Sequence, residues 1–115
     1  MQLCSYTKMN KKQNIEAVNR NLQLVRISNR NKNCLRWSSN ETKEHILKKL
    51  ELCMDLKKKK MDFITEAIFH NNSRADILSL QDGVIFELLK SEKIEDAKKK
   101  LEYYPSELNV IFVKI

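Results

Sequence analysis

The sequence predicts an α/β fold built on a mixed four-stranded sheet, and three observations predict it. Apolar residues recur at helical spacing in one long stretch, about Glu41 to Lys58. Three short runs follow, at Asp62–Phe69, Arg74–Leu80 and Val84–Leu89, with turn residues between them. A capped stretch, about Glu92 to Tyr103, then leads through Pro105 to a last apolar run, Leu108–Val113. The order is helix, three strands in a meander, helix, strand. A strand–helix–strand step within one sheet is a parallel crossover, so the last strand should lie beside the third. Helices then cover both faces of the sheet.

The elements follow in order. The 115 residues fit one domain with a modest core. Residues 1–36 read as a basic N-terminal segment, partly disordered or holding one strand, and 37–115 as the folded domain. Ile15 to Leu22 supports a helical turn or two, Leu22–Ser28 alternates like a strand, and Asn29–Asn33 is a turn. Ser39 or Asn40 can cap the long helix, with Glu41 and Glu44 in its first turn. Its core stripe is expected to be Ile46, Leu47, Leu50, Cys53, Met54 and Met61. Lys57 to Lys60 suit the negative end of its dipole. In the first strand, Phe63, Thr65, Ala67 and Phe69 should face one way and Ile64, Glu66 and Ile68 the other. Ser91 can cap the second helix, with Ile94, Ala97, Leu101 and Tyr104 on one side. The final run reads as a strand buried on both faces.

Composition narrows the function classes. With 42% hydrophobic and 32% charged residues the chain is expected to be a soluble globular protein. No apolar run approaches the ~20 residues of a membrane span. The first residues lack the apolar core of a signal peptide. Cys4, Cys34 and Cys53 are odd in number and widely spaced, as free thiols in a reducing cytoplasm would be. The net charge of +7 is unevenly placed: residues 1–36 hold eight Lys or Arg against one acid, Glu16. Arg26, Arg30, Lys32 and Arg36 lie in that segment. Such asymmetry points to a polyanion, a phosphate backbone being the usual one.

The candidate chemistry sits on the hairpin. Gln81-Asp82-Gly83 joins two apolar runs, and Gly83 is the only glycine. A two-residue Asp82-Gly83 turn would set Gln81 against Val84, Leu78 against Glu87 and Leu89 against Asp76. Asp76 and Glu87 would then share a face as diagonal neighbours, within reach of one ion. Carboxylates amid Val84, Ile85, Phe86 and Leu88 are costly to bury, and a hard divalent cation such as Mg²⁺ removes that cost. Glu66 reads as solvent-facing or paired with Arg74 across the next hairpin. Trp37 and Tyr103 read as packing residues.

This order, with an acid on each of the second and third strands, resembles the core of the PD-(D/E)XK nuclease superfamily over about residues 39–115. E-T-K-E-H-I-L-K-K at Glu41–Lys49 is similar to the first helix of CoiA-like competence nucleases, E-S/T-x-x-H-x-x-x-K. Arg74-Ala75-Asp76-Ile77-Leu78 and Glu87-Leu88-Leu89-Lys90-Ser91 match the two strand motifs. The resemblance implies a restriction-endonuclease-like αβββαβ core and a metal-dependent DNA endonuclease of the cytoplasm, with a homodimer as one form it can take. Asp76 and Glu87 would bind Mg²⁺ or Mn²⁺, Glu41 or Glu44 would add a ligand through water, and His45 would touch the scissile phosphate. Arg26, Arg30, Lys32, Arg36 and Arg74 would hold DNA. The family's lysine or glutamine, two positions after the glutamate, is here Leu89. Lys90 reaches the site given a bulge after Glu87, or Lys48 or Lys98 reaches in from a helix. With no lysine supplied, the chain would be a weak or inactive nuclease that binds DNA.

Overall fold

A computed structural model describes residues 10–115. Helix α1 spans Lys11–Leu22 and α2 spans Lys43–Lys58. Strands β1 (Phe63–Ile68), β2 (Arg74–Ser79) and β3 (Val84–Leu89) follow, then the short α3 (Ile94–Ala97), a 3-10 segment (Lys98–Tyr103) and β4 (Asn109–Lys114). The sheet order is β1-β2-β3-β4. The first two pairings are antiparallel and β3–β4 is parallel, as the element order predicts. Two apolar clusters flank the sheet. Leu52, Cys53 and Leu56 of α2 pack with Phe63, Ile77, Phe86 and Leu88. Val18 of α1, Val25, Phe69, Tyr104 and Leu108 pack with Ile64, Leu78 and Ile85 on the other face. Among the described residues no helix is long and apolar enough to cross a membrane.

The N-terminal segment departs from its expected form. Asn10 and Gln13 make a reciprocal capping box, so α1 starts early and runs through Leu22. The strand expected at Leu22–Ser28 does not form: Val25 makes one bridge to Phe69, and Ile27–Asn29 is a 3-10 turn. Val25 is fully buried while Ile27 is 80% exposed, so one anchoring residue produced the apparent alternation. Residues 10–36 therefore share the core of the sheet instead of trailing from it. Cys4, expected as a free thiol, lies outside the described residues.

Helix α2 is rotated relative to the stripe read from its apolar residues. Thr42 caps it in place of Ser39 or Asn40, its hydroxyl accepting the His45 N–H at 3.3 Å. The buried face is Lys49, Leu52, Cys53 and Leu56, whereas Leu47, Leu50 and Met54 are exposed. Two faces of this helix have helical periodicity. The one that docks carries His45 and Lys49 at its N-terminal end, and their ion pairs with the sheet replace apolar contact there.

The hairpin register also differs. Ser79 pairs with Val84, Leu78 with Ile85 and Ile77 with Phe86, so the connection is Leu80–Gly83 and not a two-residue turn. Leu80 is drawn out of the ladder: its N–H donates to the Asp62 carbonyl at 2.9 Å and its carbonyl accepts from Asn21 Nδ2 at 2.6 Å. Gly83 closes the loop at φ +65°, where a Cβ would stand 3.4 Å from Asn21 Nδ2. In this register Glu87 comes opposite Asp76, one step past the last paired residues.

The pleat slips by one residue in β1 and β2. Ile64 and Ala67 share a cluster although three positions apart, and so do Ala75 and Leu78. Ala67 and Phe69 therefore join Ile64, against the alternation read from sequence. Glu66 sits at the slip with φ +52°, a left-handed conformation that costs a non-glycine residue on the order of 1 kcal/mol. The slip turns Glu66 and Asp76 toward α2, where they meet Lys49 and His45.

The C-terminal third differs in two ways. The helix expected over 92–103 is one α-turn followed by 3-10 geometry, with no side-chain cap from Ser91. Tyr104 is extended before Pro105, as that ring requires, while Leu101 of the expected face is exposed. Strand β4 lies at the sheet edge and is only partly buried.

Candidate metal centre

The site forms where α2 begins and the slipped parts of β1 and β2 end. Glu41 precedes α2, and His45 and Lys49 follow at intervals of four on one helical face. Ligand atoms of Glu41, His45 and Asp76 all lie within 4.8 Å of one another, so the three could hold a metal ion. His45 Nδ1 is 3.3 Å from Glu41 Oε2, and its Nε2 is 3.7 Å from Asp76 Oδ2.

Behind them stands Lys49, fully buried. Its ammonium donates to both Glu41 oxygens (2.9 and 3.1 Å), to Glu66 Oε1 (2.7 Å) and to the Arg36 carbonyl (3.0 Å). An ammonium without water needs such a full set of acceptors. The second Glu66 oxygen lies 3.0 Å from Arg74 Nε as an ion pair, without hydrogen-bond geometry. Arg36 is held in turn by its N–H, which donates to Thr65 Oγ1 at 2.8 Å.

Electrostatics divide the acids into two groups. Burial alone would push Glu41 up, but hydrogen bonds from Glu66 and Lys49 and the lysine charge outweigh it, bringing the carboxyl down to about 2. Burial raises Glu66, and the neighbouring Glu41 carboxyl adds to the rise. Burial likewise raises Asp76, against the Leu88 N–H and the His45 charge, which oppose it. Glu87 is pushed up to about 7, by burial first and by the Asp76 charge second. Burial is the first cause of each rise, so the charged forms of Glu66, Asp76 and Glu87 are disfavoured where they stand. His45 Nδ1 is also buried with no hydrogen bond of good geometry. Two carboxylates and an imidazole fit a divalent cation.

Not every expected site residue arrives. Phe86 and Leu88 face α2, so Glu87 alternates to the other face, beside Tyr104 and Lys100. Its Oε1 accepts the Asp76 N–H at 3.2 Å, and Asp76 Oδ2 accepts the Leu88 N–H at 2.8 Å. The expected sharing of one ion by Asp76 and Glu87 gives way to Asp76 with Glu41 and His45. Four-residue looping at Leu80–Gly83 and the pleat slip are the causes. Lys90 points to the α2 side and stands 3.4 Å from Glu44 Oε2, half-exposed. Lys48 pairs with Glu51, and Lys98 is exposed on the 3-10 segment. Arg26, Lys32 and Arg36 are exposed, and Arg30 Nε donates to the Val25 carbonyl at 2.9 Å. Glu66 does pair with Arg74 as one reading had it, but it is buried. Trp37 and Tyr103, read as packing residues, are more than half exposed.

Sequence reasoning missed Lys49 as a site residue. The signal was present: stepping by four from Glu41 through His45 reaches it on the same face. The apolar periodicity of Leu47, Leu50 and Met54 pointed to the opposite side. No family model matches the chain, and neither a curated protein nor a solved structure matches it.

Proposed function

We propose that this protein is a metal-dependent DNA endonuclease with a PD-(D/E)XK-like core, hydrolysing phosphodiester bonds at a centre made by Glu41, His45 and Asp76. The observation that carries the reading is the convergence of these three donors beside a fully buried lysine. The ion would be Mg²⁺ or Mn²⁺, and the imidazole favours Mn²⁺. A bound divalent ion lowers the pKa of a water and neutralises charge growing on the phosphate. The chain's own groups do the rest. Lys49 locks the Glu41 carboxylate in its ionised form, ready to bind a cation. Asp76 is fixed by the Leu88 N–H. Arg74, held by Glu66 and more than half exposed, offers its outer nitrogens to a phosphate. The basic segment through Arg26, Lys32 and Arg36 supplies salt-sensitive attraction to the backbone.

The test is cleavage of plasmid, single-stranded and junction DNA with Mg²⁺ or Mn²⁺. Asp76→Ala and His45→Ala should each lower the rate by more than ~100-fold, the scale of losing a main electrostatic stabiliser. Undiminished cleavage by the doubly substituted protein refutes the proposal. A second reading is a DNA-binding protein of the same core without turnover. It is favoured by Leu89, buried where the family carries lysine or glutamine, and by the Glu41 oxygens already being bound to Lys49. It predicts salt-dependent DNA binding, no hydrolysis with either ion, and unchanged affinity in Asp76→Ala.

A further inference from the structure

Between the β1–β2 turn and the 3-10 segment lies a cleft of about 370 Å³. Asn71, Asn72 and Ser73 of the turn line it, with Arg74, Lys100 and Tyr103. That volume is within the range of small-ligand sites. Its charged side chains are two cations. Their acidic partners stand outside the lining, Glu66 at 3.0 Å from Arg74 Nε and Glu92 at 3.6 Å from Lys100 Nζ. Guanidinium has further donors beyond Nε, and Arg74 is 56% exposed, so those donors are open to a ligand.

Tyr103 is the unusual member. Its ring is 57% exposed, yet its backbone is clamped. Its carbonyl accepts Asn71 Nδ2 at 2.6 Å and Ser73 Oγ at 3.1 Å. The next residue, Tyr104, is buried edge-on against Phe69 with ring centroids 5.8 Å apart, and its hydroxyl donates to the Arg74 carbonyl at 3.1 Å. An aromatic ring is thus presented to solvent from a fixed base, with cations and amide groups around it. Rings held this way stack on planar ligands at small entropic cost.

Arg74 is the link between the cleft and the metal centre, which lies on the α2 side of the sheet. Arg74 lines the cleft, and through Glu66 it is joined to Lys49 and Glu41. Asp76 follows two residues later on the same strand. Glu87, bonded to the Asp76 N–H, sits near Lys100 and Tyr104 on the cleft side.

We infer that this cleft takes one unpaired nucleotide of a single-stranded nucleic acid, its base stacked on Tyr103 and its phosphate on Arg74 and Lys100. This rests on the nuclease reading for the class of ligand, a nucleic acid, and on the cleft's own residues for its place. A paired base is already covered on both faces by its neighbours, so a lone tyrosine and a cleft of this size select an unstacked one.

The experiment is fluorescence anisotropy of labelled oligothymidylate and of a blunt duplex of equal length, with chelator present so that nothing is cleaved. The full chain should bind the single strand more tightly than the duplex. Tyr103→Ala should weaken single-strand binding about tenfold, within the range for one stacked base, and leave duplex binding unchanged. Tyr103→Phe should retain the wild-type affinity. Because the ring is exposed and the clamp uses the backbone, neither variant disturbs the fold. An unchanged single-strand affinity in Tyr103→Ala, an equal loss on both substrates, or failure of Tyr103→Phe to retain affinity overturns the inference. If the tyrosine effect is absent while hydrolysis still depends on Asp76, the cleft is wrong and the nuclease reading stands. A tyrosine effect without hydrolysis supports the cleft and removes the nuclease.

Discussion

Ile77, Leu78 and Ser79 in the second half of β2 each face a paired residue on β3, whereas Asp76, one position earlier, meets β3 only through side chains. The paired half is held by backbone bonds and by apolar residues on both faces. In the other half, the Asp76 carboxylate takes the Leu88 N–H and the Glu87 carboxylate takes the Asp76 N–H. The first half stabilises itself. The second is a polar arrangement whose acids depend on Lys49, His45 and Arg74 from elsewhere, and burial disfavours the charged forms of Asp76 and Glu87. That burial makes Asp76 a candidate for a cation, and it should cost stability when no cation is bound.

The largest effect is expected at Lys49. Lys49→Met leaves Glu41 and Glu66 buried without their ammonium, and should cost ~3–5 kcal/mol by denaturant unfolding. A loss below ~1 kcal/mol would mean that water already reaches both acids.

Helix rotation gives a comparable contrast. Leu52→Ala on the docked face should cost ~2–5 kcal/mol, while Leu47→Ala on the exposed face should stay within ~0.5 kcal/mol. The reverse ranking would restore the helix orientation read from sequence.

The effect of pH separates the two groups of acids. Glu87 keeps its proton up to about 7 in the folded chain, against 4.5 ordinarily. The folded state therefore binds the extra proton. Its contribution is complete below pH 4.5 and is lost as pH rises through 7, by about 3 kcal/mol at most in metal-free protein. Glu87→Gln should flatten that decline. Glu41 runs the other way: lowered to about 2, it contributes above pH 4.5 and loses that contribution as pH falls toward 2. A melting temperature that climbs steadily from pH 5 to 8 without metal would contradict the assignment for Glu87.

The smallest effect is the most diagnostic of function. Asp76→Asn removes a carboxylate that burial already disfavours, so the metal-free protein should keep its stability or gain up to ~1 kcal/mol. The same variant should lose the rise in melting temperature that Mn²⁺ gives the wild type. A retained metal response would remove Asp76 from the centre.

Much of this was legible in the chain itself. The long helix, the three-strand meander and the last strand followed from periodicity, and the parallel pairing of β4 with β3 followed from the crossover between them. Asp76 was singled out by the hairpin, and Glu41 and His45 by the resemblance of Glu41–Lys49 to a nuclease first helix. Local signals of this kind depend on neighbours within a few residues, and the sequence displays those directly.

Three decisions belonged to the tertiary structure alone. The face of α2 that docks was set by Lys49 finding Glu41, Glu66 and the Arg36 carbonyl, partners up to 17 residues away. The hairpin register was set by Asn21 and Asp62 capturing the backbone of Leu80. The pleat slip at Glu66 re-aimed two acids toward the helix and left Glu87 behind. Each is a balance between a local preference and a long-range polar bond formed away from water, where such bonds are strong enough to prevail.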